Sequence, residues 1–166
     1  KTPMHQARDV LGVASVNGKI YAIGGTDLTY HSDTGTGQTG GVVGTNEEYD
    51  PNTNSWTTKT PMPTPNSGFA TAVYRGKIYC IDGTTNQVYN PNNDTWETKT
   101  PIPIETYYPK ANVVNGKIYV FNRTSNWVYD PTTDVWSAKS PMPSKLSPWG
   151  VSAAVSPFYV AVVVDT

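Results

Sequence analysis

Three features of the sequence predict an all-β fold built as part of a β-propeller. The phrase YDPNTNSW at residues 49–56 returns as YNPNNDTW at 89–96 and as YDPTTDVW at 129–136, a constant step of 40. A second phrase, GKIY, begins at Gly18, Gly76 and Gly116. No stretch sustains a 3.6-residue apolar period, so no helix is expected. A small unit repeated in tandem cannot bury both faces of its own sheet, and stacked units form the core together.

Spacing within the units is rigid. Pro3 to Tyr21 is 18 positions, as are Pro61 to Tyr79, Pro101 to Tyr119 and Pro141 to Tyr159. From that Tyr to the following Trp, the second and third units take 17 positions, whereas the first takes 35 (Tyr21 to Trp56). The first unit therefore carries an 18-residue insertion. The units run 3–60, 61–100 and 101–140, with a partial fourth at 141–166. The expectation is three complete four-stranded blades and half a blade, an incomplete ring.

The four strands of each unit follow in order. The first is small and apolar (VLGVASV, GFATAVY, KANVV, GVSAAV). A two-residue turn, Asn-Gly or Arg-Gly, comes next, where Gly accepts the positive φ that such hairpins need. The second strand is KIYAIG, KIYCID or KIYVFN. The third ends in the Tyr before DP or NP, where Pro stops the ladder and Asn, Thr and Asp complete a turn. The fourth begins at the Trp. Gly and Pro, 14 each, supply the punctuation.

Composition excludes some function classes. Net charge is −1 with 15% charged residues, so nothing general draws the chain to nucleic acid or an anionic membrane. The apolar stretch 149–164 contains Ser152, Ser156 and Pro157; it is too short and broken for membrane insertion and reads as two strands. Cys80 is the single cysteine and can form no internal disulfide. No metal or cofactor site has a recognisable ligand spacing, although His31 lies between Asp27 and Asp33. Sequons at Asn93 and Asn122, low Lys content and the Thr/Asn bias lean toward an extracellular or cell-surface protein.

The run NGKIYAIGG, then NEEYDPNTNSW, then TPMP resembles a kelch repeat, of the type in the central domain of galactose oxidase-like proteins. The resemblance covers essentially the whole chain. It implies that Gly24, Gly25, Tyr49, Trp56, Tyr89, Trp96, Tyr129 and Trp136 are structural, with the glycine pair making room for the aromatics. The pair becomes Asp82–Gly83, Asn122–Arg123 and Val162–Val163 in the later units, where packing should differ. The resemblance also implies a ring of about six or seven blades, so further blades must come from the rest of a longer chain or from another copy. The copper oxidases of this fold use a Tyr–Cys crosslink; Cys80, in mid-strand between Tyr79 and Ile81, reads instead as a small buried hydrophobe.

Partners of kelch proteins commonly bind the face that carries the second-to-third-strand loops and the segments between blades. On that face stand His5, Arg8, Asp9, Glu105, Tyr107, Tyr108 and Trp149, together with the polar insertion 26–45, in which Tyr30 and His31 are the best contact candidates. Tyr107, Tyr108 and Trp127 break the repeat: the positions equivalent to Trp127 hold Glu47 and Gln87. Trp127 is either a filler between blades or a contact. The leading expectation is a non-catalytic module that binds protein or glycan. The alternatives are part of a sugar oxidase or carbohydrate isomerase with active residues in other blades, or the substrate-receptor propeller of an intracellular adaptor.

Overall fold

A computed structural model describes residues 1–27, 40–122, 125–141, 151–155 and 160–164. The strands among them are paired only in antiparallel fashion, and these described residues contain no α-helix. A short ribbon pairs β1 (Arg8–Asp9) with β4 (Thr26–Asp27). The first blade is β2 (Gly12–Val16), β3 (Lys19–Ile23), β5 (Asn46–Asp50) and β6 (Ser55–Lys59). The second is β7 (Ala70–Tyr74), β8 (Lys77–Ile81), β9 (Asn86–Asn90) and β10 (Thr95–Thr98). The third is β11 (Lys110–Val114), β12 (Lys117–Asn122), β13 (Ser125–Asp130) and β14 (Val135–Lys139). β15 (Val151–Val155) and β16 (Val160–Val164) pair as the two strands expected of the fourth unit. The first strands β2, β7, β11 and β15 neighbour one another in sequence order, as successive blades of a propeller require.

The turns follow the sequence chemistry. Asn17, Arg75 and Asn115 sit at φ of +52°, +48° and +49°, each followed by a glycine also at positive φ. This is the turn whose twist matches flanking antiparallel strands. The DP and NP turns end on Asn54, Asp94 and Asp134, at φ of +54°, +55° and +58°, where Asn and Asp are the tolerated residues.

These turn residues also latch successive blades together. The hydroxyls of Tyr49, Tyr89 and Tyr129 donate to the side chains of Asn54, Asp94 and Asp134 at 2.9, 2.6 and 2.5 Å. The same Oδ1 atoms accept the backbone N–H of Thr2, Thr60 and Thr100, at 3.1, 2.9 and 3.0 Å. The carbonyls of those threonines accept the indole Nε1–H of Trp56, Trp96 and Trp136, at 2.9, 2.9 and 2.8 Å. Each Tyr stacks on its Trp with ring centroids 4.9–5.0 Å apart. The chain leaving one blade is thus tied to the outer strand of the next.

The core lies between blades. Ala14, Val16, Tyr21 and Ile23 of the first blade pack on Ile78, Cys80 and Tyr89 of the second. Ala72, Tyr79 and Ile81 of the second pack with Ile118, Val120 and Tyr129 of the third. Tyr21 meets Tyr89 edge-on at 5.8 Å, and Tyr79 meets Tyr129 in the same way at 6.1 Å. Cys80 is fully buried, and burial pushes its thiol up, out of reach of thiolate chemistry.

Gly24 and Gly25 allow close approach of the linkers on both sides of the first blade. A Cβ on Gly24 would lie 2.5 Å from the Asn66 carbonyl oxygen, and one on Gly25 would lie 2.6 Å from that of Asp9. Where the pair is lost, the residue in its first place bonds through its side chain instead. Asp82 accepts from the N–H groups of Thr84 and Thr85 at 2.8 and 2.6 Å and from the amide of Asn66. Asn122 donates to the Glu105 carbonyl and accepts from the Tyr107 N–H, each at 3.0 Å.

Candidate binding face

In an antiparallel blade the first and third turns share one face of the disc, and the second turn and the inter-blade linkers share the other. The second face gathers residues 4–10, 63–69 and 104–109 with the loop after β8 and the described residues that follow β3.

The root of the insertion is built rigidly. The strands on either side of it extend as a stem: Thr26 bridges Val42, Asp27 N–H donates to the Gly41 carbonyl (3.1 Å), and Val43 N–H donates to that of Gly25 (2.9 Å). β1 flanks the stem on its other edge. Gln6 accepts from the Thr45 hydroxyl (2.6 Å) and donates to Asp27 (3.1 Å).

Arg8 takes a different place from the one its sequence position suggested. Its side chain is buried rather than open on the surface. Nη1 donates to the carbonyls of Gly24 (2.6 Å) and Thr45 (2.9 Å), and Nη2 to the carboxylate of Glu47 (2.7 Å). A buried charge needs such a partner and such acceptors. Arg8 therefore holds both ends of the insertion to β5. His5, exposed, adds its backbone N–H and its Nδ1 to Glu47 at 2.9 and 3.0 Å.

The equivalent position is filled differently in each blade. Gln87 exchanges two hydrogen bonds with the backbone of Thr64, both 2.9 Å. Trp127 packs, half-buried, against the core cluster between the second and third blades. Its departure from the repeat thus solves the same filling problem with an apolar ring.

The exposed part of the face is aromatic and acidic. Tyr107 is 63% exposed and Tyr108 is 53% exposed. Asp9 and Glu105 are exposed carboxylates. A shallow depression of about 340 Å³ is lined by Asp82, Gly83, Thr84, Glu105, Thr106 and Tyr107. Burial pushes the Asp82 carboxyl up, but its hydrogen bonds from Asn66, Thr84 and Thr85 outweigh this and hold it low, so it stays ionised.

Val10, Gly68 and Tyr108 occupy one repeat position and all have positive φ (+51°, +70° and +47°). For Val and Tyr this conformation is strained. The three are neighbours: a Cβ on Gly68 would lie 3.0 Å from the Tyr108 ring and 3.5 Å from Val10. Val10, 38% exposed, extends the aromatic surface toward the first blade. Sequence comparison of the units marks Tyr108 as a departure; it carries no signal for Val10, an ordinary strand residue whose backbone alone is unusual.

Tyr30, His31 and Trp149 lie outside the described residues. Among the described residues no group of three His, Cys, Asp or Glu side chains could hold a metal ion, and no helix is long and apolar enough to cross a membrane.

Comparison with known proteins agrees with this architecture. The family model described as Kelch motif matches residues 11–63. The chain is 37% identical over 83 residues to the Influenza virus NS1A-binding protein homolog of Mus musculus, covering 50% of this chain and 11% of that protein. It is 36% identical over 83 residues to the Influenza virus NS1A-binding protein of Homo sapiens, with the same coverage. The chain therefore spans about a tenth of the length of these curated relatives. Among solved structures, that of YjhT superposes with a TM-score of 0.74 at 18% identity, over 90% of this chain and 56% of that one. At this identity the likeness speaks to fold.

Proposed function

Because the chain is a kelch-repeat β-propeller, we propose that it is a non-catalytic module that binds a protein through the face carrying the inter-blade linkers and the insertion. The observation that carries this reading is the cluster of Tyr107, Tyr108 and Val10: large side chains that break the repeat or its backbone norm, exposed together on one face. Exposed aromatic side chains on a rigid frame supply contact area at low entropic cost. Asp9 and Glu105 form a polar rim, and the stem clamped by Gln6 and Arg8 marks where the insertion leaves the same face. Relatives named for binding a viral protein favour a protein over a glycan ligand.

A further blade completes this module by covering the outer face of the first sheet. Ile20 is 36% exposed, whereas Ile78 and Ile118, its counterparts in the covered sheets, are 0% exposed.

The test is site-specific photo-crosslinking in the organism of origin. A photoreactive residue at Tyr107 or Tyr108 should capture one protein, and the same residue at Ser137 should not. Y107A/Y108A should abolish co-purification of that protein while leaving the circular dichroism spectrum unchanged. Retained co-purification would refute the assignment of this face.

A further inference from the structure

The opposite face, that of the tight turns, holds a second departure from the repeat. The turn between the first and second strands reads Val16-Asn17-Gly18 in the first blade and Val114-Asn115-Gly116 in the third. In the second blade it reads Tyr74-Arg75-Gly76. Asn tolerates the left-handed conformation through its short polar side chain, whereas Arg at φ +48° is strained there. A turn that forms with Asn in the first and third blades thus keeps a less suitable residue in the second, at the tip of a hairpin.

What surrounds Arg75 suggests a use for it. Its guanidinium carbon lies 5.3 Å from the centroid of the Tyr74 ring. Stacking of this kind orients the planar fork. Among the described residues no carboxylate pairs with Arg75. Tyr74 in turn reaches across to the third blade, where a Cβ on Gly116 would lie 3.6 Å from its hydroxyl. Tyr74, Arg75, Lys77, Tyr79, Pro131 and Thr132, from two blades, line a groove of about 450 Å³. Around the groove Lys77 is paired with Glu97 at 2.7 Å and Asp130, bonded to Thr132, is paired with Lys117 at 2.6 Å, so Arg75 is the lining cation left without a carboxylate among the described residues. None of its lining residues is acidic.

We propose that this groove between the second and third blades binds an acidic segment of a protein partner, with an Asp or Glu carboxylate held by the Arg75 fork and the chain lying against Tyr74 and Pro131. A guanidinium fork suits a planar carboxylate, and the aromatic wall suits an extended peptide. A nucleic-acid strand would need a run of cations along its backbone, and the groove offers one fork and one paired ammonium in a chain of net charge −1. The site lies on the face opposite Tyr107 and Tyr108 and stands independently of the function proposed for them.

Fluorescence anisotropy of a labelled peptide of alternating Glu and Gly residues, titrated with the full chain at low ionic strength, tests the proposal. Saturable binding is expected, with a Ser-Gly peptide of equal length remaining unbound. R75N should weaken it about tenfold. Y74V should weaken it about threefold through lost stacking. Both variants install the residue the other blades use, so both keep the hairpin, and a far-ultraviolet spectrum checks this. Y107A/Y108A should leave peptide affinity unchanged. Equal binding by R75N, equal binding of the Ser-Gly peptide, or tighter binding of a single-stranded RNA would each overturn the proposal.

Discussion

At the scale of single residues, the latch formed by Asn54, Asp94 and Asp134 does more than end a turn. One side-chain oxygen serves the Tyr of its own blade and the backbone of the entering linker. For Asp94 and Asp134, burial pushes the carboxyl up, but the Tyr hydroxyl and the Thr N–H outweigh it and hold both low. A folded-state value below the unfolded one means that the stabilisation is complete above the ordinary carboxylate value of 3.8 and is lost as pH falls below it. D94N/D134N should therefore unfold at slightly lower urea at pH 7, by at most about 1 kcal/mol per site after solvent screening. It should also lose less stability than the parent between pH 5 and pH 3. Asn54 already provides the amide version, so N54D should add acid sensitivity; urea midpoints across pH read both effects. The repeated Tyr and Trp were legible in the sequence as structural because they recur at a fixed step. The latch was not, because its backbone partners stand 34 positions from Asp94 and Asp134 and nothing in the repeat says which carbonyl or N–H a turn side chain will meet. Arg8 was misplaced for a related reason: a charged residue in a linker looks solvated until Glu47 is brought against it by the fold.

At the scale of elements, each of the three described linkers enters its first strand through a left-handed residue, Val10, Gly68 or Tyr108, and of these only the second is glycine. V10G and Y108G should relieve backbone strain and raise stability by about 1 kcal/mol each, offset in part by the apolar contact they remove. Denaturant unfolding measures the balance. Y108G should at the same time weaken capture of the partner protein, which separates the structural from the binding consequence. The length of the first-blade insertion follows from counting positions. Its stem does not, because Thr26–Asp27 and the GVV at 41–43 carry no period that pairs them; their pairing comes from the edge of β3 continuing past Gly25 and from the clamp of Gln6 and Arg8.

At the scale of the whole molecule, stability belongs to the interfaces between sheets. I78A and I118A should each cost about 2–5 kcal/mol, as deletions in a closed core do. I20A should cost clearly less in the chain alone, because solvent already reaches that side chain. In a longer protein with a further blade against β3, I20A should become as costly as the other two. Thermal melts of the three variants in both contexts decide whether that face is covered. The sequence repeat foretold the stacking of sheets, since a four-stranded unit cannot hide both its faces. Which face stays open is not written in any one unit, for Ile20 sits in the same KIY phrase as its buried counterparts.

The latch has a genetic consequence. Because Thr60 meets Asp94 and Trp96 just as Thr100 meets Asp134 and Trp136, the segment 61–100 begins and ends in matching joints. A tandem duplication of that segment would give each new end a partner it already fits. Arcs of this design can grow by copying in frame, one cassette at a time, without inventing a new junction.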